Sequence, residues 1–229
     1  MSTHAVQGPW VRHALAVVLL LSMTSGIVDV VAFLRYHVFV ANQTGNLVIV
    51  ALSFVDHSQV EYRTLSAVAL IAFTLGVFSA VWLRNVLAKR KIPDYRLRQM
   101  LLGLEVALVM VTAVLFALGR NPTLDLICVA LLSWSQAIQG VVITRFVGIS
   151  VQTVVINNAI IASAEEAGQR DYSAAFISAS TVLGYAAGAA IGALLLGLLA
   201  SIALVAAVVT AFAAAVIVRY VRIQGGSVN

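Results

Sequence analysis

The chain has 229 residues, 62% hydrophobic and only 10% charged, whereas soluble globular domains carry about 25% charged residues. So apolar a chain cannot cover a water-facing surface, which excludes a secreted enzyme, a nucleic-acid-binding domain and a disordered tail and leaves an all-α polytopic membrane protein. The net charge of +5 does not argue for nucleic acid, because six of the fourteen Lys/Arg (Arg84, Lys89, Arg90, Lys91, Arg96 and Arg98) fall in one loop, the pattern of a cytoplasmic loop under the positive-inside rule.

In chain order, apolar segments long enough to cross a ~30 Å hydrocarbon core are predicted at 13–34, 64–87, 99–118, 124–144, 173–197 and 199–219. The first follows Arg12 and His13 but runs on to Phe33 with no A-x-A site behind it, so no cleaved signal peptide is expected. Two further apolar segments, 38–55 and 149–164, are shorter and interrupted by polar residues. The first holds Asn42-Gln43-Thr44-Gly45-Asn46; the second holds Gln152-Thr153 and Asn157-Asn158.

The order long, short, long, long occurs twice, which predicts one transmembrane domain built from two repeats, about 11–120 and 121–222. Gly26 precedes Asn46 by 20 residues and Gly140 precedes Asn158 by 18; Arg35 and Arg145 each stand just before a short segment. If the short segments cross fully, the halves run parallel. If they enter and return on one side, each half has three spans and the repeat is inverted. The inverted arrangement puts Arg12, Arg219 and Arg222 inside with the 84–98 loop, and Asp56 with Glu61 outside. The positive-inside rule favours it, with six full spans, two re-entrant segments and both termini cytoplasmic.

The stretch Gly26, Asp29, Phe33, then Val38-Phe39-Val40-Ala41-Asn42-Gln43-Thr44-Gly45-Asn46 resembles the G-x-x-D-x-x-x-F and V-F-x-A-N-x-T-G-N signature of the YoaK family of bacterial inner-membrane proteins. In the second half the family's G-L-Q-N stretch corresponds to Ala137-Ile138-Gln139-Gly140. Its T-T-x-x-T-G stretch corresponds to Gln152-Thr153-Val154-Val155-Ile156-Asn157; the second Thr-Gly has become Ile156-Asn157. The resemblance implies a small permease of the bacterial inner membrane and names no substrate.

Asp29 lies inside the first apolar run. An unpaired carboxylate at the membrane centre costs at least about 2.5–3.5 kcal/mol, so Asp29 is either a proton- or cation-coupling group or a structural acceptor for a neighbour such as Asn46 or Gln139. In the first short segment, Val38-Phe39-Val40 favours extended backbone. Gly45 permits a turn or a close approach, and Thr44 or Asn46 could cap a half-helix whose N-terminal N–H groups suit an anion or a carbonyl oxygen. Interrupted segments in corresponding halves point to a transporter site, to which the second half would contribute Gln139, Thr153, Asn157 and Asn158, with Gln136 one turn from Gln139.

Gly76 with Ala80, and Gly184, Gly188 and Gly192, have helix-packing spacing. They serve close approach within the chain or pairing with a second copy in a homodimer. Glu105 is expected to snorkel or to pair with Arg98, and Arg35, His37 and Arg145 to anchor at the interface or to touch substrate. No nucleophile–base pair, phosphate loop or metal set stands out, so neither an enzyme nor a cofactor is expected. The favoured expectation is a secondary transporter for a small solute or ion. The alternatives are a passive channel and a non-transporting scaffold that dimerises through its glycine-rich helix.

Overall fold

The structure, a computed structural model, describes residues 9–55, 60–119, 121–143, 156–169, 172–198 and 200–221. Every regular element among them is helical: α1 (Pro9–Tyr36), α2 (Gln43–Leu52), α3 (Val60–Lys89), α4 (Asp94–Ala117), α5 (Pro122–Ile143), α6 (Ile156–Gly168), α7 (Tyr172–Leu196) and α8 (Ala200–Ile217), followed by a 3-10 turn at Val218–Tyr220. Six of these, all but α2 and α6, are long and apolar enough to cross a membrane. At 1.5 Å per residue, the 10 residues of α2 and the 13 of α6 reach only about 15 and 20 Å.

The helices stop for local reasons. α1 ends where His37 adopts a left-handed φ of 54°, and the turn after α3 has Lys91 at φ 56°. Pro93 and Pro122 then start α4 and α5, where a missing N–H costs nothing. The Thr123 N–H donates to Asn121 Oδ1 at 2.9 Å, capping α5. α2 begins later than the apolar pattern at 38–55, at Gln43, because the preceding backbone is held by side chains, and α6 is described from Ile156 to Gly168, past the end of the pattern at 149–164.

α1 packs on α7 and α8, α4 on α5 and α8, and α3 on α5, while α2 lies on α3 and α6 on α7. Two ends of the bundle can be distinguished. At one, the Tyr36 ring meets Phe116 and the His37 ring lies 4.7 Å from that of Tyr62. At the other, His13 meets Tyr220 at 5.6 Å and Arg98 donates to the Val142 carbonyl at 2.6 Å. The outer faces are apolar and exposed, with Phe78 and Trp82 on α3, Leu183 and Leu194 on α7, and Val209 and Phe212 on α8. In water such a surface would aggregate; in a bilayer it is the solvated face.

The α1/α7 crossing brings backbone against backbone. A Cβ on Gly26 would stand 2.1 Å from the Tyr185 carbonyl, one on Gly188 2.2 Å from that of Met23, and one on Gly184 2.9 Å from that of Leu19. Gly192 similarly meets Val30 and Ile27. The glycine face is thus occupied within the chain, and it offers no free surface for pairing with a second copy.

Candidate functional site

Asp29 is buried in α1, two turns before the helix ends. After Tyr36 the chain doubles back over it. The N–H groups of Val40 and Ala41 both donate to its Oδ1 at 2.7 Å, and the Tyr185 hydroxyl donates to Oδ2 at 2.7 Å. Asp29 therefore has structural partners, but not those the sequence suggested, since neither Asn46 nor Gln139 bonds to it. Tyr185 was not foreseen. Its one signal was a hydroxyl-bearing ring inside an otherwise small and apolar run, directly after Gly184.

Asn46 holds the other side of the same turn. Its Oδ1 accepts from the Phe39 N–H at 2.9 Å, and its Nδ2 donates to the Phe39 carbonyl and to Gln43 Oε1. Gln43 in turn donates to the Val40 carbonyl at 2.8 Å. The side-chain amide of Asn46 thus pairs with Phe39 as a neighbouring strand would, which satisfies backbone that no helix satisfies. The expectation that Thr44 or Asn46 caps α2 is corrected. The cap position is Asn42, without a side-chain cap bond, because Asn46 is already engaged with Phe39. Gly45 meets the Phe39 ring, which would lie 2.7 Å from an added Cβ; Asn42 and Thr44 are exposed at the tip.

Deeper in the bundle a second polar cluster joins α1 to α5. Ser25 Oγ donates to Gln136 Oε1 at 2.7 Å, and Gln139 Nε2 donates to Ser25 Oγ at 2.8 Å and to the Leu21 carbonyl at 3.1 Å. Thr24 and Thr210 share a hydrogen bond of 2.8 Å between α1 and α8. The cluster sits near the helix midpoints. Gln139 therefore stands apart from the turn anchored on Asp29, although one face of α1 serves both.

Among the remaining candidates, Gly76 packs against Ala137 and Trp134 of α5. Arg35 lies over the Phe116 ring at 5.3 Å, an anchoring contact. Thr153 and Arg145, and the side chains of Asn157 and Asn158, lie outside the described residues. The expected pairing of Glu105 with Arg98 is not formed: Arg98 Nε bonds Asp94 at 2.8 Å, one turn away on the helix surface, and Glu105 is fully buried.

Six apolar membrane-length helices, outward apolar faces and buried polar clusters within an apolar core define a multi-pass integral membrane protein. The model of a family of proteins of unknown function, DUF1275, matches residues 17–217, and the chain belongs to that family. A stretch of 62 residues is 47% identical to the UPF0700 transmembrane protein YoaK of Bacillus subtilis (strain 168), covering 27% of this chain and 27% of that protein's length. No solved structure matches the chain.

Proposed function

We propose that the protein is a secondary transporter of the bacterial inner membrane, moving a small solute between two halves related as an inverted repeat. The observation that carries this reading is the turn anchored on Asp29. Val40 and Ala41 follow the end of α1, yet their N–H groups reach back to a residue seven positions inside it, about 10 Å along the axis. α2 then leads outward again to α3, whose Tyr62 lies beside His37. Such a path supports a re-entrant hairpin.

The packing supports the repeat. Exchanging α1–α4 with α5–α8 turns the α1/α7 pair into α5/α3, α1/α8 into α5/α4, and α2/α3 into α6/α7, and each of these contacts is present. The glycine contacts run parallel along α1 and α7, so α6 joins α7 at the end opposite the one where α2 joins α3. His13 and Tyr220 meet at that end, beside the basic 84–98 loop, which supports cytoplasmic termini.

In this transporter Asn42 and Thr44 at the first tip, and Thr153, Asn157 and Asn158 in the second half, contact the solute near the midplane. Irregular backbone at that depth is tolerated beside a water-filled cavity. Asp29 anchors the first tip, and its bond to Tyr185 fastens that tip to the opposite half at the α1/α7 crossing.

Two measurements test this. With Cys128→Ser as background, Ser58→Cys should react with an impermeant thiol reagent on intact cells, and Gln169→Cys should not. Labelling of both from one side removes the inverted repeat. Purified protein in liposomes, offered a mixture of isotope-labelled small metabolites, should then take up at least one saturably. Flux that does not saturate indicates a passive channel, and none at all a scaffold.

A further inference from the structure

Glu105 is the twelfth of the 24 residues of α4, about 16 Å from either helix end. It is fully buried, and neither carboxylate oxygen has a hydrogen-bond partner. Asp29 is equally deep in protein but receives three donors. A charged carboxylate at mid-membrane costs at least about 2.5–3.5 kcal/mol, and Glu105 has no donor that would offset that cost.

Two features turn a buried acid into a candidate site. The first is its surroundings. α4 and α5 are antiparallel, and the Arg98–Val142 bond sets their register, which puts Glu105 level with residues near 135. There Ser133 Oγ and Gln136 Nε2 are buried and also lack partners. Among the described residues of the helices packed on α4, the charged ones stand toward the helix ends and not level with Glu105. α8 has no ionisable residue between Ala200 and Ile217. Asp125 and Cys128 of α5 lie toward its opposite end. Arg84 and Lys89 of α3, with Arg219 and Tyr220, stand at the cavity end, and Arg63 of α3 at the other.

The second feature is access. An open cavity of about 730 Å³ enters between α3, α4 and α5 from the end that carries Arg84 and Arg98, and it reaches Leu101. Along α4 its wall is Asp94, Leu97, Arg98 and Leu101, and the next residue on that stripe is Glu105. A single turn of helix, closed by the buried Leu101 side chain, separates the cavity floor from the carboxyl group.

We infer that Glu105 is a proton-binding site at the membrane midplane, loaded from the cavity on the 84–98 side. As a chemical site it stands independently of transport; the use of its proton to drive a solute rests on the transporter reading above. The test is modification by a hydrophobic carbodiimide, which adds to a protonated carboxyl group, on the full-length protein in liposomes, read by peptide mass spectrometry. The adduct should form on Glu105 and not on Asp29, its rate should fall as pH is raised, and Leu101→Ala should speed it several-fold. Glu105→Gln should lose the adduct and keep the melting temperature. An adduct on Asp29 in place of Glu105, a rate independent of pH, or protection by sodium ions at constant pH would overturn the site. None of these outcomes depends on uptake, so failure of the site and failure of the transporter are told apart.

Discussion

The two halves of the chain meet at two crossings, α1 on α7 and α3 on α5, and the crossings are built differently. At α1/α7, Gly26, Gly184 and Gly188 let carbonyls approach to distances no side chain would permit, and Asp29 adds a buried bond to Tyr185. At α3/α5, Gly76 meets mainly side-chain atoms, Ala137 Cβ at 2.7 Å and the Trp134 ring at 3.0 Å, with the Trp134 Cα farther off at 3.2 Å, and a bond crosses from Trp134 Nε1 to Ser79 Oγ at 3.1 Å. Beyond Val77 this second crossing opens into the cavity. Backbone contacts cannot adapt, whereas side-chain contacts can. The α1/α7 crossing is therefore the more tightly locked of the two, and α3/α5 is the seam expected to yield first.

The largest effect expected from this difference is at Gly188. A leucine there places Cβ 2.2 Å from the Met23 carbonyl, a clash with backbone that no rotamer relieves. Gly188→Leu should exceed the about 1–3 kcal/mol usual for overpacking and yield no monodisperse protein on size exclusion. Gly103→Leu, at a position with nothing within 4 Å, should behave as the parent. A well-folded Gly188→Leu protein would mean that α1/α7 is not the rigid element.

Asp29 comes next. Asp29→Ala removes the acceptor from three donors, each costing about 1–3 kcal/mol when left unmade, and should lower the melting temperature strongly. Asn is different: its Oδ1 can accept from Val40 and Ala41 while its Nδ2 donates to the Tyr185 oxygen. Asp29→Asn should stay within about 1 kcal/mol of the parent. Retained uptake in that variant identifies an anchor; lost uptake with an unchanged melting temperature identifies a coupling group.

These two sites show what a sequence makes legible. The six spans and the close helix approach at Gly184 and Gly188 follow from composition and small-residue spacing, because lipid and backbone proximity impose those patterns directly; that the approach is to α1 and not to a second copy does not. The hydrogen-bond partners do not. Tyr185 is 156 residues from Asp29, and nothing local marks the pair. Asn46 looks like a cap because it stands at the start of a helix, yet its amide serves Phe39 instead. Glu105 looks like a partner for Arg98, but Asp94 is one turn from Arg98 on the exposed side, and an arginine near a helix end takes the acid it can reach while still hydrated.

Gly76→Ala probes the seam directly. The new methyl would lie 2.7 Å from Ala137 Cβ and 3.2 Å from Trp134 Cα, so α3 and α5 must part slightly, a smaller displacement than the 2.2 Å approach to the Met23 carbonyl would demand at Gly188. The cost should be about 1–2 kcal/mol, clearly below that at Gly188, and the melting temperature in one detergent compares the two. A loss as large as that of Gly188→Leu would make the two crossings equally rigid.

The smallest effect belongs to Trp134→Phe. The change keeps an aromatic ring against Gly76 and removes only the donor to Ser79. Hydrogen bonds between membrane helices average about 0.6 kcal/mol, and the Ser79 hydroxyl keeps its own acceptor, the Gly76 carbonyl at 2.9 Å, so no buried group is orphaned. The melting temperature should move little. What should change is the ease of opening at α3/α5, because this bond crosses the seam. Carbodiimide modification of Glu105 is the appropriate readout: its rate should rise in Trp134→Phe while global stability is nearly constant. A rate that tracks stability alone, rising in Asp29→Ala and unmoved in Trp134→Phe, would show that access to the midplane follows general loosening and that the seam has no special part in it.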